Sequence, residues 1–163
     1  MARNNSIYVT ANPRGIFMEG TVKTGETIFP GVIVQFDISA GISGNGKFTW
    51  ELYNADADGA RPKGPLVIVV EDRKQGKLMT NSYVAGDHIY GYVPVAGEEF
   101  NMLIGDVAGT GDSHTIGEVL IVDDTTGELI ATTGTPESEP FMLLETLAAP
   151  TADTLAHCIY TGY

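Results

Sequence analysis

Two acidic turns lie close together in the sequence and contain the first residues that could carry chemistry. Val84-Ala85-Gly86-Asp87 is followed eleven residues later by Val95-Ala96-Gly97-Glu98. Paired carboxylates can serve a glycosidase or hold Ca²⁺, but only when both reach one site, within roughly 10 Å for a glycosidase. If residues 88–95 form a strand, its rise of about 3.3 Å per residue separates the two turns by about 26 Å. We therefore predict that Asp87 and Glu98 do not share a site within one chain.

The same glycine-acidic pair recurs elsewhere, each time ahead of an apolar run. The further copies are Gly25-Glu26, Gly117-Glu118 and Gly127-Glu128. Glycine adopts a positive φ at little cost, and this conformation is what many tight turns require. We interpret all five copies as turns that lead into strands, each with an exposed carboxylate that keeps the turn soluble.

A second candidate for chemistry is the glycine-rich segment GDVAGTGDSHTIG, residues 105–117. Asp112, Ser113 and His114 are the residue types of a catalytic triad, but neighbours on one loop rarely reach triad geometry, and a Gly-x-Ser-x-Gly elbow is missing from the sequence. The segment also lacks the Gly-Lys-Ser/Thr ending of a phosphate-binding loop. We predict a solvated loop, no catalytic residue and a protein that is not an enzyme.

Metal sites are also disfavoured by residue spacing. NADADG, residues 54–59, fits the first positions of a calcium loop, but Pro65 stands where a bidentate Glu is needed. The three histidines are scattered, and the single Cys158 has no second cysteine to complete a zinc site. We predict no metal and no cofactor, and we expect Cys158, in the apolar LAHCIY, to be a buried inert thiol.

Composition limits the partners. The chain has 163 residues, of which 43% are hydrophobic, and its net charge is −12. That charge repels phosphate backbones and anionic lipids, so we predict neither a nucleic-acid nor a membrane partner. MARNNSIYVTANPRG, at the start, lacks the apolar run of a secretory signal, so we expect the protein to act where it is made or inside something assembled there.

The elements that position these residues have the rhythm of an all-β fold. Short segments rich in Val, Ile, Phe and Tyr are separated by Gly, Pro, Asn or Asp about every ten residues, which is typical of a barrel or sandwich. In VIVQFDI, residues 32–38, the alternation predicts a half-exposed strand with Gln35 and Asp37 outside. PLVIVVED is apolar on both faces from Leu66 to Val70, which predicts a central strand covered on both sides.

Other segments give more local predictions. EVLIV and ELIAT flank Asp123-Asp124-Thr125-Thr126-Gly127, a turn sequence that predicts a hairpin. FMLLETLA, residues 141–148, is interpreted as a strand rather than a short helix, and HCIYTGY as the last strand. The segments 38–50 and 105–117 are predicted to be long Gly-rich loops.

The first residues allow two interpretations. Ile7, Tyr8 and Val9 lie between two asparagines and Asn12-Pro13-Arg14-Gly15. This pattern fits an extended N-terminal arm and an ordinary edge strand about equally well. We accordingly divide the chain into residues 1–15, the arm or edge strand, and residues 16–163, a single β-barrel-like domain.

One block of the sequence has a familiar order of parts. VEDRKQGKLMTNSYVAGDHIYGYVPVAGEEFNMLIGD, residues 70–106, contains an apolar strand ending in acidic residues, a linker to Tyr83, an Ala-Gly-Asp turn, a strand and a Gly-Glu-Glu turn before Phe100. In this it resembles the small decoration, or cement, proteins of tailed-phage heads. Residues 24–34 and the closing FMLLE and LAHCIY look similar to the same family.

The resemblance implies a structural role. Members of that family bind the outside of assembled phage heads, often as trimers, and reinforce the capsid. It therefore implies a virion protein on the outer surface of the head, assembled in the host cytoplasm, with the major capsid protein and two further copies of itself as partners.

Two features suggest where such contacts form. An N-terminal arm would reach neighbouring subunits, and Tyr90 and Tyr92 share the strand face opposite Ile89, which either meets a partner or is buried in the chain's own sandwich. The predicted contact residues are Ile7, Tyr8, Val9, Arg14, Tyr90 and Tyr92. The alternative function is a carbohydrate-binding or fibre-associated β-sandwich that stacks sugars on Trp50, Tyr53 or Tyr8.

Overall fold

The computed structural model describes residues 7, 14–37, 46–53, 65–72, 78, 80–105, 113–123, 125–131, 141–148 and 154–162. Within these residues the chain forms β-strands and no helix, so the all-β prediction is confirmed. The strands are β1 (Ile16–Val22), β2 (Thr27–Ile28), β3 (Ile33–Phe36), β4 (Phe48–Leu52), β5 (Val67–Val70), β6 (Tyr83–Val84), β7 (His88–Val93), β8 (Glu99–Ile104), β9 (Val119–Val122), β10 (Leu129–Ala131), β11 (Phe141–Leu143) and β12 (Thr154–Tyr160). Nowhere in the described ranges is there a helix able to cross a membrane.

The first half of the chain forms a closed barrel with the strand order β1-β4-β3-β5-β7. β1 completes the ring, because it pairs antiparallel with β7, from Ile16↔Val93 to Thr21↔His88, and parallel with β4. The remaining neighbours pair antiparallel. Closure pairs both sides of every strand, so this sheet has no free edge on which another strand could add.

The second half forms another closed barrel with the order β10-β8-β12-β11-β9. Its longest pairing joins β8 and β12, from Thr154↔Ile104 to Ile159↔Glu99. β9 and β10 make the predicted hairpin, and Asp123 Oδ1 accepts the N–H groups of Thr125 and Thr126, both at 2.8 Å. A small separate sheet pairs β2 with β6.

Trp50 fills the interior of the first barrel and is fully buried. Its ring needs glycine on both strands that it crosses. A Cβ on Gly20 of β1 would lie 2.7 Å from Trp50 Cε2, and one on Gly91 of β7 would lie 2.7 Å from Trp50 Cη2, both closer than a Cβ can pack. The two glycines therefore make room for the indole.

The structure has two core clusters: one fills the first barrel, and the other, which we name the shared core, contains residues of both barrels. On β5, Val67 and Val69 point into the first barrel, whereas Ile68 and Val70 pack with the interior residues of the second. The predicted central strand covered on both faces is thus confirmed, with all of residues 66–70 buried. Backbone hydrogen bonds also cross between the halves, including Leu103 N–H to Gly31 O at 3.0 Å.

The sequence was less informative about β3. Val34 lies in the first barrel's core as predicted, but the other face is not half-exposed: Gln35 is 2% and Asp37 5% exposed. That prediction is wrong for two reasons. Ile33, on the same face, packs into the shared core. In addition, Lys23, which follows β1, lies beside Asp37, and Glu51 of β4 lies beside Gln35.

Other local predictions have mixed outcomes. The strand predicted for FMLLETLA is confirmed only in its first three residues, β11, and the predicted last strand is confirmed as β12, which begins at Thr154 and ends at Tyr160. The loop predicted for residues 38–50 ends too late, because β4 begins at Phe48. Residues 38–45, 54–64 and 106–112, which carry the rest of the loop and calcium-loop predictions, lie outside the described residues.

Ile7 bears on the question of the N-terminal arm. Its side chain is fully buried in the shared core. Its carbonyl accepts the N–H of Asn101 in β8 at 2.7 Å, and its own N–H donates to Glu71 Oε2 at 3.2 Å. The chain is therefore anchored between the barrels at this residue, while Tyr8 and Val9 lie outside the described residues. The predicted division at residue 15 stays a prediction.

Candidate functional site

The five glycine-acidic pairs share one backbone geometry. Gly25, Gly86, Gly97, Gly117 and Gly127 all have positive φ, between 71° and 91°. In four of the turns the acidic residue's N–H donates to the carbonyl three residues earlier, as in Asp87 N–H to Val84 O at 2.9 Å. The interpretation of these pairs as turns is confirmed.

The carboxylates have a role that the sequence did not suggest. Asp87, Glu98 and Glu118 each reach back and accept the N–H of the first residue of their own turn, at distances from 2.7 to 3.0 Å. Each of these turns is thus closed twice, once by backbone and once by side chain. Because each carboxylate bonds to its own turn at opposite ends of β7, Asp87 and Glu98 are structural and act separately.

Glu98 differs most from the prediction that these carboxylates are exposed, because it is fully buried. Oε1 accepts the N–H of Arg14 and the hydroxyl of Tyr92, and Oε2 accepts the N–H of Val95, all at 2.7 Å. Burial by itself raises the pKa of this carboxyl, but the backbone N–H groups and the Tyr92 hydroxyl outweigh it and hold the pKa below its ordinary value. Glu98 therefore joins the start of β1 to the turn between β7 and β8.

Tyr92 completes this connection from inside the chain. Its hydroxyl accepts the N–H of Gly15 at 2.6 Å while it donates to Glu98. The ring lies 4.8 Å from that of Phe17 and 5.7 Å from that of Phe100, and the residue is fully buried. Of the two alternatives for this residue, burial within its own chain is the one observed, so any part it plays in a contact is indirect.

Around this connection lie exposed side chains at the start of β1 and after β7, namely Arg14, Ile16, Phe17 and Val95, which together we name the Arg14 face. Because β1 pairs Ile16 with Val93 and Phe17 with Tyr92, the Ile16 and Phe17 side chains leave opposite sides of the strand. Ile16 is 66% and Phe17 55% exposed, which is high for large apolar side chains. Arg14 is exposed, and its guanidinium donates to Ala96 O at 2.7 Å, so it is held over the same turn. The start of β1 is thus exposed and apolar on both sides of the strand, next to a turn that is held by hydrogen bonds.

Tyr90 lies nearby on β7, paired in register with Glu19. It is half-buried, and a hydrogen bond to Glu19 raises the pKa of its hydroxyl. The structure thus leaves Arg14 and Tyr90 accessible and places Ile7 and Tyr92 inside. No bound partner tests the contact predictions for Ile7, Tyr8, Val9, Arg14, Tyr90 and Tyr92, and they stay predictions.

Of the three residues that suggested a catalytic triad, the structure describes Ser113 and His114. His114 is buried, its backbone pairs with Leu147, and its Nδ1 lies 3.4 Å from Glu118 Oε2. Ser113 is exposed, and Asp112 lies outside the described residues. Among the residues that the structure describes, no group of three His, Cys, Asp or Glu side chains could hold a metal ion. Cys158 is buried, as expected, and burial raises the pKa of its thiol.

The sugar-stacking alternative loses its main residue. Trp50 is fully buried inside the first barrel, and Tyr53 is partly buried against the shared core. A buried indole cannot stack on a sugar without opening the barrel.

No protein-family model and no curated protein matches this chain. Among solved structures, it is similar to the N base of head fiber gp8.5 of bacteriophage phi29, with a TM-score of 0.53 and 9% sequence identity. The superposition covers 90% of this chain and 94% of that one. At such low identity the likeness establishes a shared fold, and a fold alone does not specify a function.

Proposed function

We propose that this protein is a structural component of a phage head, bound to the outside of the assembled shell. The observation that carries the proposal is the likeness of fold to a head-fiber base over 90% of the chain. The resemblance of residues 70–106 to cement proteins supports the same location independently, because it rests on the order of turns and strands rather than on the fold as a whole.

Within the head, we propose a cement role: the protein binds the major capsid protein as a homotrimer and reinforces the lattice without catalysing a reaction. Two closed barrels with a shared core suit this role, since a load applied to one barrel passes to the other through packed side chains and backbone hydrogen bonds. Buried polar groups such as Glu98 fix turns, which adds rigidity at the surface.

The Arg14 face is the surface that we propose for the contact with the capsid. The chain carries 21 acidic and 9 basic residues, so most of its surface repels an acidic partner. Arg14 beside Ile16 and Phe17 instead offers a cation and apolar area together, and arginine is enriched at protein interfaces whereas carboxylates are depleted.

Co-sedimentation with undecorated heads of the phage that encodes the protein tests this proposal. Wild-type protein should pellet saturably with heads at micromolar concentration. Ile16→Glu should weaken that binding by at least tenfold, whereas Ile116→Glu, at a residue equally exposed at 66% but in another turn, should bind normally. Absence of wild-type binding would overturn the proposed function, and equal binding by both variants would overturn the assignment of the face.

A second candidate is favoured by the same structural likeness: a base that joins a fibre to the head. The two roles differ in copy number and in consequence. A cement protein occupies most equivalent lattice positions and raises the temperature at which heads rupture, whereas a fibre base occupies few positions and leaves that temperature unchanged. Counting bound copies per head by quantitative gel or electron microscopy, alongside thermal rupture of loaded heads, separates them.

A further inference from the structure

A lysine, a glutamate and an aspartate meet on the outer side of three neighbouring strands of the first barrel. Lys23 directly follows β1, Glu51 lies in β4, and Asp37 directly follows β3; β4 pairs with both of the other strands. Lys23 Nζ lies 3.3 Å from Asp37 Oδ2 and contacts Glu51 Oε2 directly. An amine and a carboxyl group from two separate strands are thus brought together above a carboxyl group of the strand between them.

The backbone holds these groups in place. The N–H of Lys23 donates to Trp50 O and that of Asp37 donates to Thr49 O, both at 2.9 Å, so both residues are fixed to consecutive residues of β4. Gln35 Nε2 donates to Glu51 Oε1 at 3.0 Å and orients the glutamate. The aspartate side chain is 5% exposed, so water has little access to its carboxyl group.

The same cluster contains an acceptor that no hydrogen bond explains. Gln35 is 2% exposed, and its Oε1 has no hydrogen-bond partner. A buried carboxamide oxygen without a hydrogen-bond donor is unfavourable, because it has lost its contact with water. The carboxamide thus orients Glu51 through its Nε2 while its own oxygen stays unpaired.

We propose that Lys23 and Asp37 form an intramolecular amide bond, with Glu51 as the acid and base of the reaction. The Lys23 nitrogen attacks Asp37 Cγ, the new C–N bond forms, and one carboxyl oxygen leaves as water with two protons from the ammonium group. Glu51 takes the two protons from Nζ one after the other and passes each to the departing oxygen, so it is unchanged at the end. An ammonium and a carboxylate become one neutral amide, and no external reactant is needed.

Fixed geometry is what makes this condensation feasible. Reacting groups held in place act at effective concentrations of about 10⁵–10⁸ M, which favours both the rate and the equilibrium of amide formation. The hydrogen bond to Glu51 raises the pKa of Lys23, so the ammonium must give up a proton before its nitrogen can attack. A single turnover per chain is sufficient, because the product is permanent.

The bond would tie β1 to β3 across β4 and make part of the first barrel covalently continuous. The mechanical consequence suits a load-bearing protein, but the inference depends only on the cluster geometry and holds or fails without regard to head binding.

Intact-mass spectrometry of the folded full chain, followed by peptide mapping, tests it. The wild-type protein should be lighter than its sequence by one water molecule, and digestion should release a branched peptide joining Lys23 to Asp37. Lys23→Arg, Asp37→Ala and Glu51→Gln should each have the full sequence mass. Lys47→Arg, which alters a lysine paired with Glu19 on the same barrel, is the matched control and should still lose water.

Two results would overturn the inference. One is wild-type protein that keeps its full mass after days at neutral pH, which would make the cluster an ordinary ion-pair group. The other is loss of water in Lys23→Arg, which would place the dehydration elsewhere, for example at an Asp-Gly bond. Because the wild-type peptide map decides the matter alone, a variant that fails to fold cannot obscure the result.

Discussion

The substitution Ile7→Ala tests whether the N-terminal residues form a free arm or a segment anchored in the core. The isoleucine is fully buried and packs in the core that both barrels share. Replacing a buried isoleucine with alanine costs about 2–5 kcal/mol, through lost transfer free energy and the cavity left behind. For a chain of this size each kcal/mol lowers the Tm by about 2–4 °C, so we expect a decrease of about 4–20 °C.

Thermal unfolding followed by circular dichroism or calorimetry measures this effect, and Ile116→Ala is the matched control. Ile116 is 66% exposed, so the same truncation there should change the free energy of unfolding by less than about 0.5 kcal/mol. If the two variants melt together, Ile7 is not part of the core and the N-terminal residues act as a free arm. Deleting residues 1–12 removes the same contact, so its effect on head binding has to be measured well below its own Tm.

Three further predictions concern the interior. Glu98→Gln should lower the free energy of unfolding by about 1–3 kcal/mol at neutral pH; because the pKa of Glu98 is depressed from 4.5 in the fold, the carboxylate's contribution disappears as pH falls, and the difference from wild type should narrow below pH 4.5 in urea titrations. A constant difference across that range would contradict it. Tyr92→Phe keeps the ring but leaves Gly15 N–H without its acceptor, and should cost about 1–3 kcal/mol in the same titration; a neutral result would mean that the hydroxyl is dispensable. Gly91→Ala should lower the free energy of unfolding, measured by urea titration, by about 1–3 kcal/mol, because its Cβ would collide with Trp50. An unchanged free energy of unfolding would show that the indole can move.

Local features of the fold were predictable because their causes are local. The β9–β10 hairpin follows from Asp123 and Gly127, which satisfy the turn whatever surrounds it. The central position of β5 follows from an unbroken apolar run, which needs cover on both faces. The closure of the two barrels was not predictable, because it depends on parallel pairings of β1 with β4 and of β8 with β10. These strands are not consecutive in the sequence, so no local turn indicates that they pair.

The candidate sites show the same division. Asp87 and Glu98 occupy the same position of a repeated Val-Ala-Gly-acidic sequence, and both close their turns. Only Glu98 is also covered by the segment that leads into β1. The repeated sequence specifies the turn, whereas the burial of Glu98 depends on the position of a segment more than eighty residues away. The prediction for Gln35 and Asp37 is wrong for the same reason: alternation indicates two faces, but whether the outer face meets water depends on Lys23 and Glu51, which come from other segments of the chain.

The arrangement of the barrels along the chain has a consequence for biosynthesis. The first barrel uses strands from residues 16–93 and the second uses strands from residues 99–160, so a nascent chain can complete one before the other exists. During that interval Ile33, Ile68 and Tyr92, which later enter the shared core, lack the second-barrel residues that pack against them. A chain arrested at that length would carry an apolar patch prone to aggregation. Completion of the second barrel covers this patch with the apolar residues of the strands from 99 to 160.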